Sequence, residues 1–186
     1  MATAPARCRS TTLVQKLLAD GVDPDVYKHR HLDALTRASG LGHVEIVKAL
    51  LAAGAGAADA HNTRGELINY ALPWACRNGH LAVVEALLAA GADVKEMFIW
   101  TSMIEAIEND RLEIVQALLR AGVNPEIGAV GGERSHLPAH RAYGYQEPLP
   151  WARHRKNPEI AQALRDAVAT ERARAWARVR ASLRCR

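Results

Sequence analysis

The chain has 186 residues, 49% of them hydrophobic and 5% aromatic, with a formal net charge of +4. That length suffices for one compact domain or one repeat array and not for two large domains, and a single Phe among many Ala and Leu means a core layered from small and aliphatic side chains. No apolar run approaches the length of a membrane span, the first ten residues lack the apolar centre of a secretory signal, and Cys8, Cys76 and Cys185 show no paired spacing, which argues against a disulfide framework or zinc site and for a reducing compartment.

In chain order, residues 1–10 read as a tail. Residues 11–24, TTLVQKLLADGVDP, predict a helix with Leu13, Val14, Leu17 and Leu18 on one face. It should end at Gly21, because a helix commonly stops in a left-handed residue that glycine adopts without steric penalty. The phrase returns as GHVEIVKALLAAGA at 42–55, GHLAVVEALLAAGA at 79–92 and RLEIVQALLRAGVNP at 111–125, and in degraded form as NPEIAQALRDAV at 157–168. Gly21, Gly54, Gly91 and Gly122 lie 33, 37 and 31 residues apart, a repeat period of about 33. Ahead of each full copy a shorter helical segment is predicted: DALTRASGLGH at 33–43, YALPWACRNGH at 70–80, TSMIEAIENDR at 101–111 and EPLPWARHRKN at 147–157. Residues 127–143, rich in Gly, His and Pro, read as an irregular surface loop. Asn157 suits an N-cap and Pro158 the first helical position, and no breaker follows, so the last helix is expected to run on into TERARAWARVRASLRCR.

The shorter segments resemble the Thr-Pro-Leu-His-x-Ala opening of ankyrin repeats, with Leu35, Leu72, Met103 and Leu149 at the leucine and Ala38, Ala75, Ala106 and Ala152 at the alanine; Gly42-His43 and Gly79-His80 match the turn that follows. The resemblance covers residues 33–168 in register. It implies an all-α solenoid of stacked helix-turn-helix units with short hairpin-like connections and an extended C-terminal helix. The organisation expected is a tail at 1–10, an array at 11–168 and an Arg-rich amphipathic helix at 169–186. The array comprises a half repeat at 11–24 and repeats at about 29–60, 66–96, 97–126 and 143–168, with 127–143 inserted as a loop. The sequence departs from the family pattern in two ways: Thr-Pro survives only piecemeal, as Thr101 and Pro148, and the hairpin glycines are replaced by His31, Ile68, Ile99 and Tyr145.

No Gly-rich phosphate loop, Gly-x-Ser-x-Gly elbow or His-Glu-x-x-His pair occurs. His29, His31, His136, His140 and His154 lack nameable third and fourth ligands. No enzyme, metal or cofactor is therefore expected. What the resemblance implies instead is a concave face that binds a protein or peptide. Carried over in register, the first helices offer Leu41, Arg77, Asn78, Glu108, Asn109, His154 and Arg155, and the hairpins Arg30, Phe98, Trp100 and Tyr143. Aromatics and arginine dominate protein interfaces by burying large rigid area beside a polar handle, which puts Trp100, Arg77 and Glu108 at the centre of the expected patch. Trp74 and Trp151 are expected in the core, and Trp100 and Phe98 have a second reading, tucked beneath a hairpin that lacks its glycine.

Charge is uneven. Residues 170–186 carry six Arg and one Glu, a net of +5, so everything before them sums to −1. Such a helix can be a solvated cap. It also supports an alternative function, a nucleic-acid or nuclear-targeting accessory acting through Arg172, Arg174, Arg178, Arg180 and Arg184. The leading expectation is a monomeric, non-catalytic adaptor or inhibitor, cytoplasmic or nuclear, that binds another protein.

Overall fold

The computed structural model describes residues 6–25, 33–55, 66–92, 97–125 and 148–184. Among these every regular element is an α-helix. They fall into two compact units, residues 1–93 and 94–186.

The first unit contains α1 (Ala6–Ala19), α2 (Ala34–Gly40), α3 (Val44–Ala52), α4 (Glu66–Asn78) and α5 (Leu81–Ala89). Two layers result. In one, α2 packs on α4; in the other, α1 packs on α3 and α3 on α5; α2 covers α3 and α4 covers α5. The second unit has α6 (Met97–Glu108), α7 (Leu112–Arg120), α8 (Pro148–His154) and α9 (Pro158–Arg184). Here α6 packs on α7 and α8, and α9 on α7 and α8. Each layer exists because the second helices carry apolar residues three and four apart. Val47 and Leu50, Val84 and Leu87, and Val115 and Leu118 are all buried, and each leucine contributes about 1.5–3 kcal/mol by leaving water.

The helix ends are built alike. After α3, Gly54 takes φ +90° while the amides of Gly54 and Ala55 donate to the carbonyls of Leu51 and Leu50, a Schellman end that satisfies two orphan carbonyls. The same pair of bonds closes α1, α5 and α7. Between first and second helix the chain turns through a second left-handed residue: Gly42, Gly79, Asp110 and Lys156, at φ 72°, 80°, 56° and 59°. Asp110 and Lys156 hold a conformation that disfavours a Cβ by about 1–2 kcal/mol. The bonds from His43 to Ala38, His80 to Ala75, Arg111 to Ala106 and Asn157 to Ala152 nonetheless recur in all four turns.

Several boundaries differ from expectation. Helix α1 begins at Ala6, so half of the segment read as a tail is helical. Helices α4 and α6 start at Glu66 and Met97, about one turn before the predicted 70 and 101. No glycine stops the helix there. The stripe Ile68, Leu72, Cys76 extends the apolar spacing of α4 upstream, as Trp100, Met103, Ile107 does for α6, and all six are buried. Pro73 sits inside α4, where it has no N–H to give the carbonyl four residues back. The loop 127–143 lies outside the described residues.

The first helices bury polar side chains too, Thr36 and Ser39 in α2, Asn69 in α4, and Thr101, Ser102 and Glu105 in α6. Helix α2 adds its cap. Asp33 caps it, its Oδ1 accepting from the Thr36 amide at 2.7 Å. Yet Asp33 Oδ2, Thr36 Oγ1 and Ser39 Oγ are buried without a hydrogen-bond partner, and an unsatisfied buried group costs about 1–3 kcal/mol.

Candidate interaction surface

Of the residues expected on the concave face, those assigned to the first helices lie at the C-terminal ends of those helices. In the first unit Leu41, the residue after α2, is 61% exposed. Arg77 lies in the last turn of α4 with its guanidinium carbon 6.0 Å from the centre of the Trp74 ring, the range in which a cation is drawn to an aromatic face. Asn78 is exposed, but its amide is engaged: Nδ2 donates to the Gly40 carbonyl at 2.7 Å. His80 approaches the same oxygen, with Nε2 at 3.2 Å. A carbonyl only accepts, so Nε2 carries the proton. Two donors thus meet both lone pairs of one carbonyl and tie the α4–α5 turn to the α2–α3 turn.

The second unit makes an equivalent tie with different side chains. Arg155, in register with Asn78, donates through a guanidinium nitrogen to the Glu108 carbonyl at 2.8 Å, and Glu108 stands in register with Gly40. Asn157 takes the place of His80, its Nδ2 donating to Asp110 Oδ1 at 2.9 Å while its Oδ1 accepts from the Ile160 amide at 3.0 Å as the N-cap of α9. Asn109 turns inward, Nδ2 donating to the Glu105 carbonyl at 2.8 Å. His154 is exposed and stands edge-on to Trp151, ring centres 5.7 Å apart. Glu108 is half-buried.

Each expected position can now be placed. Leu41, Arg77 and Asn78 share the edge of the first unit; Glu108, Asn109, His154 and Arg155 share that of the second. Phe98 and Trp100, expected on a hairpin, lie in α6. Trp100 is 7% exposed, a core side chain. Trp151 is buried and Trp74 half-buried. Arg30 and Tyr143 lie outside the described residues, as do the side chains of Phe98, Arg178, Arg180 and Arg184. Arg172 and Arg174 are exposed on α9, and Arg174 pairs with Glu171 at 2.6 Å. The turn-to-turn bonds were not anticipated. Their donors were legible as Asn78, His80, Arg155 and Asn157, but their acceptors lie 38 to 47 residues away.

Among the described residues no three His, Cys, Asp or Glu side chains gather as a metal site, and no helix is long and apolar enough to cross a membrane. The Cys76 thiol is enclosed in the core. No curated protein matches the chain. The family described as ankyrin repeats (3 copies) matches residues 3–98 and 58–129, more than half of the sequence. The two helical layers, the Gly-ended second helices and the left-handed turns between first and second helices agree with that match, and the chain belongs to the ankyrin-repeat family.

Proposed function

We propose that this protein is a non-catalytic adaptor or inhibitor, cytoplasmic or nuclear, that binds a protein partner along the exposed edge of its first helices. Ankyrin repeats generally mediate protein–protein interaction, and the fold alone does not select the partner. The observation that carries the reading for this chain is the edge of the first unit: a leucine exposed at 61%, and an arginine held over a tryptophan ring at 6.0 Å. An arginine pre-oriented on an aromatic face loses little entropy on binding, which suits it to anchor a contact. Asn78 and Arg155 give one donor each to the preceding repeat, so they stiffen the edge and serve a partner only through what remains.

A second reading rests on α9. Among its described side chains the last buried one is Leu164, and Arg172 and Arg174 are exposed beyond it, an arrangement able to contact nucleic acid through phosphates without reading sequence.

Capture from nuclease-treated lysate at low and high salt separates the two. A partner retained at high salt by the full chain, by a chain ending at Ala169 and not by Arg77→Glu supports the edge. Capture that disappears with salt and with the tail supports the arginine helix, because polyanion binding falls steeply with ionic strength.

A further inference from the structure

Asn78 precedes Gly79, whereas every other asparagine of the chain precedes Thr, Tyr, Asp or Pro. Asparagine is a chemically labile residue, and a following glycine makes it more so. Glycine has no Cβ to shield its backbone nitrogen, and that nitrogen can attack the side-chain amide carbon and close a five-membered succinimide. Asn78 is exposed to water, which completes the reaction. In the folded chain both reacting groups are occupied. The leaving nitrogen, Nδ2, donates to the Gly40 carbonyl at 2.7 Å. The attacking nitrogen, that of Gly79, donates to the Cys76 carbonyl at 3.3 Å, just beyond the usual range and hence a weak hold. Asn109 fills the same position in the turn of the second unit and differs on both counts. It precedes Asp110, whose Cβ stands beside the nitrogen at φ 56°, and its Nδ2 donates within its own helix, to Glu105 at 2.8 Å. An open nitrogen and an amide held by another repeat thus meet at Asn78.

We propose that Asn78 is a deamidation site gated by its bond to Gly40, and that its reaction makes an opening of the turn permanent. Once the turn releases the carbonyl, the Gly79 nitrogen, its proton passed to hydroxide, bonds to Asn78 Cγ. The Cγ–Nδ2 bond breaks and ammonia leaves. Water then opens the succinimide at one of its two carbonyls, which yields aspartate or its β-linked isomer and releases the acid proton. A carboxylate accepts and does not donate, so neither product restores the bond to Gly40; its oxygens would face another acceptor. The isomer also lengthens the backbone by one carbon in the turn where the His80 amide donates to Ala75 at 3.0 Å. The new negative charge falls at the C-terminal end of α4, where the helix dipole opposes it. The step therefore consumes the donor that would close the turn again.

The test incubates the full chain at mildly alkaline pH with and without urea. Peptide mass spectrometry follows conversion of the Asn78 amide to acid, and enzymatic methylation counts the β-linked isomer. In urea Asn78 should convert as fast as it does in a short synthetic peptide of the same sequence, and Asn109 far more slowly. In the folded chain Asn78 should convert about tenfold or more slowly than in urea, because only the open fraction reacts. Gly42→Ala, whose Cβ would displace the His80 ring from the same carbonyl, should speed conversion in the folded chain. Asn78→Asp, which supplies the product directly, should unfold at lower urea than the parent or fail to fold. The proposal is overturned if Asn78 keeps its amide in the unfolded chain, or if folded and unfolded chains convert at one rate. It is equally overturned if Gly42→Ala leaves the folded rate unchanged, or if Asn78→Asp unfolds at the parent's midpoint.

Discussion

Replacing Gly42 by Ala tests whether the bond between neighbouring turns is as tight as its geometry states. Gly42 sits at φ +72°, and a Cβ there would lie 2.6 Å from Cε1 and Nδ1 of His80, too close for the ring to stay. The strained backbone costs about 1–2 kcal/mol. Moving the imidazole sacrifices its bond to the Gly40 carbonyl, about 0.5–1.5 kcal/mol more, for a total of about 1.5–3.5 kcal/mol. Gly54 provides the control. It has φ +90° but nothing within 4 Å of the added carbon, so Gly54→Ala should cost only the backbone component. Any gain from a less flexible unfolded chain affects both variants alike. Urea unfolding followed by far-UV circular dichroism, with the slope checked for constancy, should therefore place Gly42→Ala about 1 kcal/mol below Gly54→Ala. In a His80→Ala background the difference should vanish. Equal costs for the two glycines, or a difference that survives loss of His80, would refute the contact as its source.

Three further outcomes are expected in the same assay. Asn157→Ala removes both the α9 cap and the bond to Asp110 and should cost about 1–2 kcal/mol. Leu50→Ala should cost about 2–5 kcal/mol by opening a cavity, whereas Leu17→Ala, its counterpart in the half repeat, should cost less than about 1 kcal/mol because the side chain already meets water; similar costs would mean that Leu17 is covered in solution. Ser39→Ala deletes a buried hydroxyl without a partner and should stabilise by up to about 1 kcal/mol, so a loss of stability would show that the hydroxyl is bonded.

The second helices were legible because two local signals coincide: an apolar stripe three and four apart, and a glycine at its end. Helices α3, α5 and α7 follow both. The starts of α4 and α6 were not legible, since the expected break relied on glycines that this chain lacks at Ile68 and Ile99. The apolar spacing through Ile68 and Trp100 in fact argued for more helix, and it won. Trp100 has two readings in the sequence, an interface anchor because aromatics are common there or a side chain tucked beneath its hairpin, and the stripe that it shares with Met103 and Ile107 is buried. The turn-to-turn bonds are long-range and use four donors of three residue types, so no local pattern encodes them. Glycine is dispensable at Asp110 and Lys156, where the carbonyls of Ile107 and Arg153 still receive the turn amides.

The doubly engaged carbonyl of Gly40 makes the first unit hard to shorten. Deleting α2 and α3 as a block would remove the acceptor and leave the amide of Asn78 and the ring nitrogen of His80 aimed at an empty place. Water could serve the exposed amide readily and the partly enclosed imidazole less so. A truncated chain would expose, besides a fresh apolar surface, a turn deprived of its outside support. Repeat proteins are often treated as beads that can be cut between any two units. In this one the cheap cut lies on the α1 side of α2, where Ala34, Arg37 and Leu41 are already solvated, and a cut between α3 and α4 must be repaired by redesigning positions 78 and 80.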